Sequence, residues 1–180
     1  AAASPAAAPD APKELKLDSG TFGSLSARSL GPALLSGRIG DLAVNPRKPS
    51  DFFVAVASGG VWKTTNGGVT FSPIFDSQGS FSIGCLALDP SNPAVLWVGT
   101  GENNSQRSVS WGDGVYLSRD GGKSFTNTGL KDSAHIGMFA IDPRNTDRVF
   151  AAAMGPLWSS GGERGVYRTS DGGKSWERVL

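Results

Sequence analysis

One eight-residue phrase occurs three times in this chain, and that repetition constrains the fold more than any other feature. Ile39-Gly40-Asp41-Leu42-Ala43-Val44-Asn45-Pro46 returns as Ile83-Gly84-Cys85-Leu86-Ala87-Leu88-Asp89-Pro90 and as Ile136-Gly137-Met138-Phe139-Ala140-Ile141-Asp142-Pro143. Starting at Ile39, Ile83 and Ile136, the copies lie 44 and 53 residues apart. Each phrase predicts a strand closed by an Asx-Pro step, because proline donates nothing to a ladder and restrains the residue before it. Seven residues after each proline comes an aromatic, Phe53, Trp97 or Phe150, inside a second apolar run. Gly60-Val61-Trp62, Gly114-Val115-Tyr116 and Gly165-Val166-Tyr167 then open a third, and Phe71, Phe125 and Trp176 lead a short fourth. Four strands per unit of about 45 residues is the period of a propeller blade, a small antiparallel sheet that must stack on its neighbours.

The expectation is therefore an all-β chain carrying about three blades of a larger β-propeller ring. Residues 39–81, 82–134 and 135–180 form the blades, and 22–38 an outer strand and link. The 25 glycines and 11 prolines among 180 residues fit short strands joined by many turns. Lys and Arg number 17 against 16 Asp and Glu, a formal charge of +1. That balance offers no electrostatic footprint for nucleic acid. No apolar run approaches the roughly 20 residues of a membrane span. Cys85 is the single cysteine and reads as a small buried hydrophobe. His135, the single histidine, cannot build a zinc site alone, so neither metal nor cofactor is expected. Residues 1–21 open as an Ala/Pro-rich tail, which suits the stretch left after signal-peptide cleavage and a secreted or periplasmic protein. The other end, Trp176 to Leu180, stops inside a predicted strand, so further blades are expected beyond it.

Between the third and fourth strands of each blade stands one turn pattern. Its copies are Thr64-Thr65-Asn66-Gly67-Gly68-Val69-Thr70-Phe71, Ser118-Arg119-Asp120-Gly121-Gly122-Lys123-Ser124-Phe125 and Thr169-Ser170-Asp171-Gly172-Gly173-Lys174-Ser175-Trp176. An Asx side chain accepts backbone N–H bonds a few residues on, while Gly-Gly supplies the positive φ of a tight turn. One carboxylate flanked by glycines offers too few oxygens for calcium. The pattern resembles the Asp-box of bacterial-neuraminidase-like repeats. That resemblance implies a structural role at the outer rim for Asn66, Gly68, Phe71, Asp120, Gly122, Phe125, Asp171, Gly173 and Trp176.

The copies differ between strands two and three. Pro46 to Gly60 spans 14 residues, Pro90 to Gly114 spans 24 and Pro143 to Gly165 spans 22. Enlarged loops on a repetitive scaffold are the usual carriers of binding chemistry. With the links leading into each blade, they would collect Arg38, Glu102, Asn103, Asn104, Arg107, Trp111, Asp113, His135, Trp158 and Glu163 on one face. The tryptophans suit stacking on apolar ring faces, and the amides and guanidiniums suit hydroxyls or carboxylates. Glu102, Asp113 and Glu163 are the candidate carboxylates for glycoside hydrolysis, where their separation would decide the stereochemistry. Structural readings stand beside these: Trp158 packing on a neighbouring blade, or Arg38 pairing with Asp41 or Glu102.

Arg28-Ser29-Leu30-Gly31-Pro32, Ser36-Gly37-Arg38-Ile39, the run from Gly99 to Ser108 and Gly155-Pro156-Leu157-Trp158 resemble large bacterial proteins of the sortilin N-terminal type, often labelled glycosyl hydrolase or BNR-repeat proteins. The resemblance covers about residues 22–180. It implies secretion, and an outer strand at Leu25–Leu30 that closes the ring. More remotely, the chain resembles xyloglucan-cleaving propeller enzymes and sialidases. The former carry a catalytic aspartate in T-D-x-G-G-A-Y, and Val56-Ala57-Ser58-Gly59-Gly60-Val61-Trp62 has Ala57 in its place. Arg38-Ile39 resembles the sialidase Arg-Ile-Pro segment, with Gly40 for proline. The functional expectation is a module binding glycan or protein through its long loops, non-catalytic in isolation. The alternatives are part of a glycoside hydrolase completed elsewhere, or a purely structural assembly module. Exposure of Trp111 or Trp158 would favour binding; burial of both would favour structure.

Overall fold

The computed structural model describes residues 37–104 and 109–180. The Ala/Pro tail, Leu25–Leu30 and Arg107 lie outside the described residues. Three four-stranded antiparallel sheets follow one another along the chain. The first holds β1 (Ile39–Val44), β2 (Phe52–Val56), β3 (Gly60–Thr64) and β4 (Ser72–Pro73). In the second are β5 (Ile83–Leu88), β6 (Leu96–Thr100), β7 (Val115–Ser118) and β8 (Thr126–Gly129). The third comprises β9 (Ile136–Ile141), β10 (Val149–Ala153), β11 (Gly165–Thr169) and β12 (Glu177–Arg178). Strand order follows chain order in every sheet, so each is a simple meander. The first strands end at Val44, Leu88 and Ile141, each just before its Asx-Pro step. There the Asx side chain turns the backbone: Asn45, Asp89 and Asp142 accept the N–H two residues on at 2.9, 2.7 and 3.0 Å.

The repeated Ile-Gly step has a structural reason that periodicity did not disclose. Each first strand slips register against its second at that glycine, between Ile39 and Asp41, between Ile83 and Cys85, and between Ile136 and Met138. Such a bulge leaves one residue unpaired and re-aims the strand. At Gly84 the backbones of neighbouring sheets crowd together. A Cβ there would lie 2.3 Å from the Ile136 carbonyl oxygen and 2.4 Å from that of Gly101.

The sheets stack face to face through two apolar layers. Ala43, Phe53, Ala55 and Val61 of the first sheet meet Leu86, Leu96, Val98 and Tyr116 of the second around Phe75. Cys85, Trp97, Val115 and Leu117 meet Ile136, Val149 and Ala151 in the next layer. Aromatics lock these seams edge to face: Phe75 against Phe125 at 4.9 Å, and Trp97 against Trp176 at 6.0 Å between centroids. Phe71 differs from its two equivalents, packing on Phe52 of its own sheet.

In the first two sheets the residue after the bulge glycine reaches the following sheet. Asp41 accepts the Leu86 N–H at 2.9 Å, and the Cys85 thiol donates to the Ile136 carbonyl at 3.4 Å. Met138, the third equivalent, is 66% exposed. Burial pushes the Cys85 thiol far above its ordinary range, which leaves it protonated and inert. Among the described residues no helix is long and apolar enough to cross a membrane.

Candidate functional site

The rim turns are built alike. Asp120 Oδ1 accepts the N–H groups of Lys123 and Ser124, both at 2.9 Å, while its Oδ2 takes the Ser124 hydroxyl at 2.6 Å. Asp171 repeats this with Lys174 and Ser175 at 2.9, 3.0 and 2.6 Å. Asn66 accepts the Thr70 N–H at 3.0 Å, and its amide donates to the Thr70 hydroxyl. The second glycine of each pair, Gly68, Gly122 or Gly173, has φ of 86–89° and donates its N–H to the hydroxyl of Thr64, Ser118 or Thr169. Hydrogen bonds, led by that of the following serine hydroxyl, hold the Asp120 and Asp171 carboxyls well below the usual carboxylate range. Their acceptor capacity is directed inward to the turn.

Both enlarged connections reach the same face. The stretch from Gly101 to Asp113 is pinned along its described length. Glu102 N–H donates to the Ser110 carbonyl at 3.1 Å and to the Ser82 hydroxyl at 2.9 Å. Ser82 Oγ donates to the same Ser110 carbonyl at 2.8 Å, and Gly112 N–H to the Ala134 carbonyl at 2.7 Å. Trp111 stands between these anchors with its side chain in solvent, 75% exposed. The connection from Met154 to Arg164 is held by the third sheet's own link. Asp132 N–H donates to Glu163 Oε2 at 2.9 Å, and Glu163 N–H returns a bond to the Asp132 carbonyl. Arg164 curls the loop by donating to the carbonyls of Pro156 and Ser159 at 2.5 and 3.3 Å. Trp158 rides on that curl, 74% exposed.

The two indoles line one groove of about 480 Å³, walled by Val109, Pro156 and Leu157 with Ala134 and His135 beneath. Neither tryptophan packs between blades. A second depression of about 540 Å³ adjoins it across Trp111 and Val109, lined by Ser80, Phe81, Asp113 and Lys131. Its exposed Phe81, in the link between β4 and β5, escaped the sequence reading because loop length and motif spacing carry no mark of it.

Several expected ligand contacts have other employment. Glu102 does not line the groove: it is 1% exposed and receives Arg38 Nε at 2.5 Å. A carboxylate so buried needs a paired, hydrogen-bonded cation, and Arg38 from the start of the first sheet supplies it. His135 is likewise 4% exposed, and burial draws its pKa below the ordinary imidazole value despite the neighbouring Glu102 carbonyl and carboxylate. At neutral pH it is an uncharged part of the groove's floor. Asn103 donates to the Gly137 carbonyl at 3.2 Å, tying the loop to the third sheet, and Asn104 is exposed beside it. Asp113 accepts the Tyr116 hydroxyl at 2.6 Å and that of Thr100 at 3.3 Å. Burial and that bond push the Tyr116 phenol above its usual pKa. Thus Glu102, Asp113 and Glu163 are each bonded to a different partner, and none shares a hydrogen bond with another. Ala57, where the resemblance would place a catalytic aspartate, is buried directly after β2, with its N–H on the Arg38 carbonyl at 2.9 Å. Among the described residues no three His, Cys, Asp or Glu side chains gather to hold a metal ion.

Meandering four-stranded sheets, stacked in chain order with their first strands adjacent, are blades of a β-propeller. Solved structures agree. The chain superposes on an ancestral GH74 enzyme with a TM-score of 0.62 at 22% identity, covering 79% of this chain and 18% of that one. It matches the GH74 enzyme of Niastella koreensis at 0.60 and 22% identity, over 79% and 22% of the two chains. YCF48 from Cyanidioschyzon merolae matches at 0.54 and 18% identity, over 83% and 42%. No protein-family profile matches the chain. Among curated proteins, a xyloglucanase from Paenibacillus sp is 31% identical over 140 residues, which is 76% of this chain and 12% of that protein. A probable oligoxyloglucan-reducing end-specific xyloglucanase from Neosartorya fischeri is 34% identical over 99 residues, or 52% and 10%. The chain thus spans about a tenth of the length of the curated relatives it matches.

Proposed function

We propose that these blades form the glycan-holding part of a glycoside-hydrolase-type propeller protein, and that their ligand is a β-linked glucan such as xyloglucan. The observation carrying this reading is the pair of exposed indoles, Trp111 and Trp158, on one groove presented by two braced loops. Indole faces suit the flat apolar faces of pyranose rings, and a platform fixed in advance loses little entropy on binding. The xyloglucanase relatives support the ligand class. Bond cleavage falls to carboxylates outside the described residues, since Glu102 is buried on Arg38, Asp113 and Glu163 bond separate partners rather than forming a pair, and position 57 is alanine. A polysaccharide does not cross a membrane, so this reading places the chain outside the cytoplasm. Calorimetric titration with xyloglucan oligosaccharides tests it: the chain binds them, releases no reducing ends, and loses binding in the Trp111→Ala, Trp158→Ala double variant. Unchanged affinity in that variant would overturn the assignment.

A further inference from the structure

Trp111 is a wall of two depressions, and only one of them belongs to the groove just described. The other lies at the junction of the first and second blades, and Phe81 is its second aromatic, 62% exposed. Phe81 is no loose loop residue. Its carbonyl accepts the Gly60 N–H at 2.8 Å, and buried serines flank it on both sides. Ser80 Oγ reaches the Trp111 carbonyl at 3.4 Å, and Ser82 Oγ holds the Ser110 carbonyl at 2.8 Å. The serines that fix the Phe81 backbone therefore also fix the Trp111 backbone. Two rings with shared supports line one depression.

The polar groups there suit a hydroxylated ligand. Asp113 keeps acceptor capacity beyond the bonds from Tyr116 and Thr100, since a carboxylate offers about four lone-pair sites. Lys131 adds an ammonium donor at the edge. The depression has its own floor: Gly79 leaves room for the Asp113 carboxylate, which a Cβ at that position would meet at 2.3 Å. At about 540 Å³ it is large enough to be a small-molecule site by itself.

We propose that the binding face is continuous across both blade junctions, so that the linear backbone of a neutral β-glucan lies along Phe81, Trp111 and Trp158, with Phe81 as an outer platform serving only longer chains. This inference rests on the glycan reading above and adds its direction and length. An aromatic at each successive position, with one carboxylate and one ammonium offsetting each other, matches an uncharged chain of pyranose rings better than an anionic one.

The test is chain-length dependence, measured by calorimetry on the full 180-residue chain with cellotriose and cellohexaose as probes of the β-glucan backbone. Cellohexaose binds at least about tenfold tighter than cellotriose. Phe81→Ala weakens cellohexaose by up to about tenfold, the scale of one aromatic contact, and leaves cellotriose unchanged. Phe81→Tyr restores the hexaose affinity, which separates ring stacking from disturbance of the loop. Equal affinity for the two probes, or a Phe81→Ala effect that is absent or the same for both, overturns the extension while Trp111→Ala still weakens cellotriose. Should neither probe bind, or Trp111→Ala change nothing, the glycan reading falls and this inference with it.

Discussion

The rim turns and the face loops are made by opposite means. In the three rim turns every defining bond runs between residues two to four apart, and corresponding lengths agree within about 0.2 Å. The face loops have local bonds as well, but their anchors to the sheets span 20 to 64 residues, such as Glu102 with Ser82 and Arg38, and Asn103 with Gly137. Local bonding keeps the turns alike in shape despite the change from aspartate to Asn66. Long-range bonding lets two loops of different sequence bring an indole each to one groove. Repetition in this molecule marks scaffold, and departure from repetition marks the loops that carry both exposed indoles.

Breaking the scaffold has the largest expected effect. Gly84→Val drives a branched side chain into two backbone carbonyls, neither of which can rotate away. It should cost about 3 kcal/mol or more and is read as loss of the cooperative thermal transition. Next comes the brace beneath the face. Arg38→Ala leaves the buried Glu102 carboxylate without its cation and should cost about 2–3 kcal/mol by chemical denaturation, with Glu102→Gln in the same background recovering part of it. The face itself follows: Trp111→Ala should lower affinity for xyloglucan oligosaccharides by about tenfold yet move stability by under about 0.5 kcal/mol, because the ring is in solvent.

The smallest effect separates the rim turns from one another. Asp120 and Asp171 have folded pKa values depressed below the ordinary value near 4. Their contribution is complete above that value and is lost as pH falls toward the folded pKa. Acid melting curves of Asp120→Asn and Asp171→Asn should therefore slope less below pH 4 than the parent. Asn66→Asp should slope more, because Asn66 closes its turn without titrating, its amide donating to a hydroxyl where Asp120 and Asp171 accept one.

Much of this was legible in the sequence for the same reason that the rim is uniform. Ile-Gly, Asx-Pro and Asx-Gly-Gly are local instructions, so strand ends, turn positions and the four-strand period follow from them directly. Loop length pointed to the enlarged connections, and both tryptophans lie on the surface they share. What stayed hidden was burial. Glu102 and His135 look like ligand contacts in a polar loop, yet Arg38 of the first blade holds Glu102 out of solvent and packing leaves His135 almost wholly buried in the floor. Phe81 is the converse, an apolar residue in a short link whose exposure depends on how Ser80 and Ser82 are held from another loop. No local pattern encodes either outcome.

The five tryptophans provide the most direct measurement, because they sample both regions at once. With the indole nitrogens labelled, two-dimensional NMR of the chain is followed while xyloglucan oligosaccharide is added. Saturable shifts of the Trp111 and Trp158 indole signals are expected, with those of Trp62, Trp97 and Trp176 unmoved. Shifts at Trp176 with Trp111 and Trp158 silent would contradict the glycan reading.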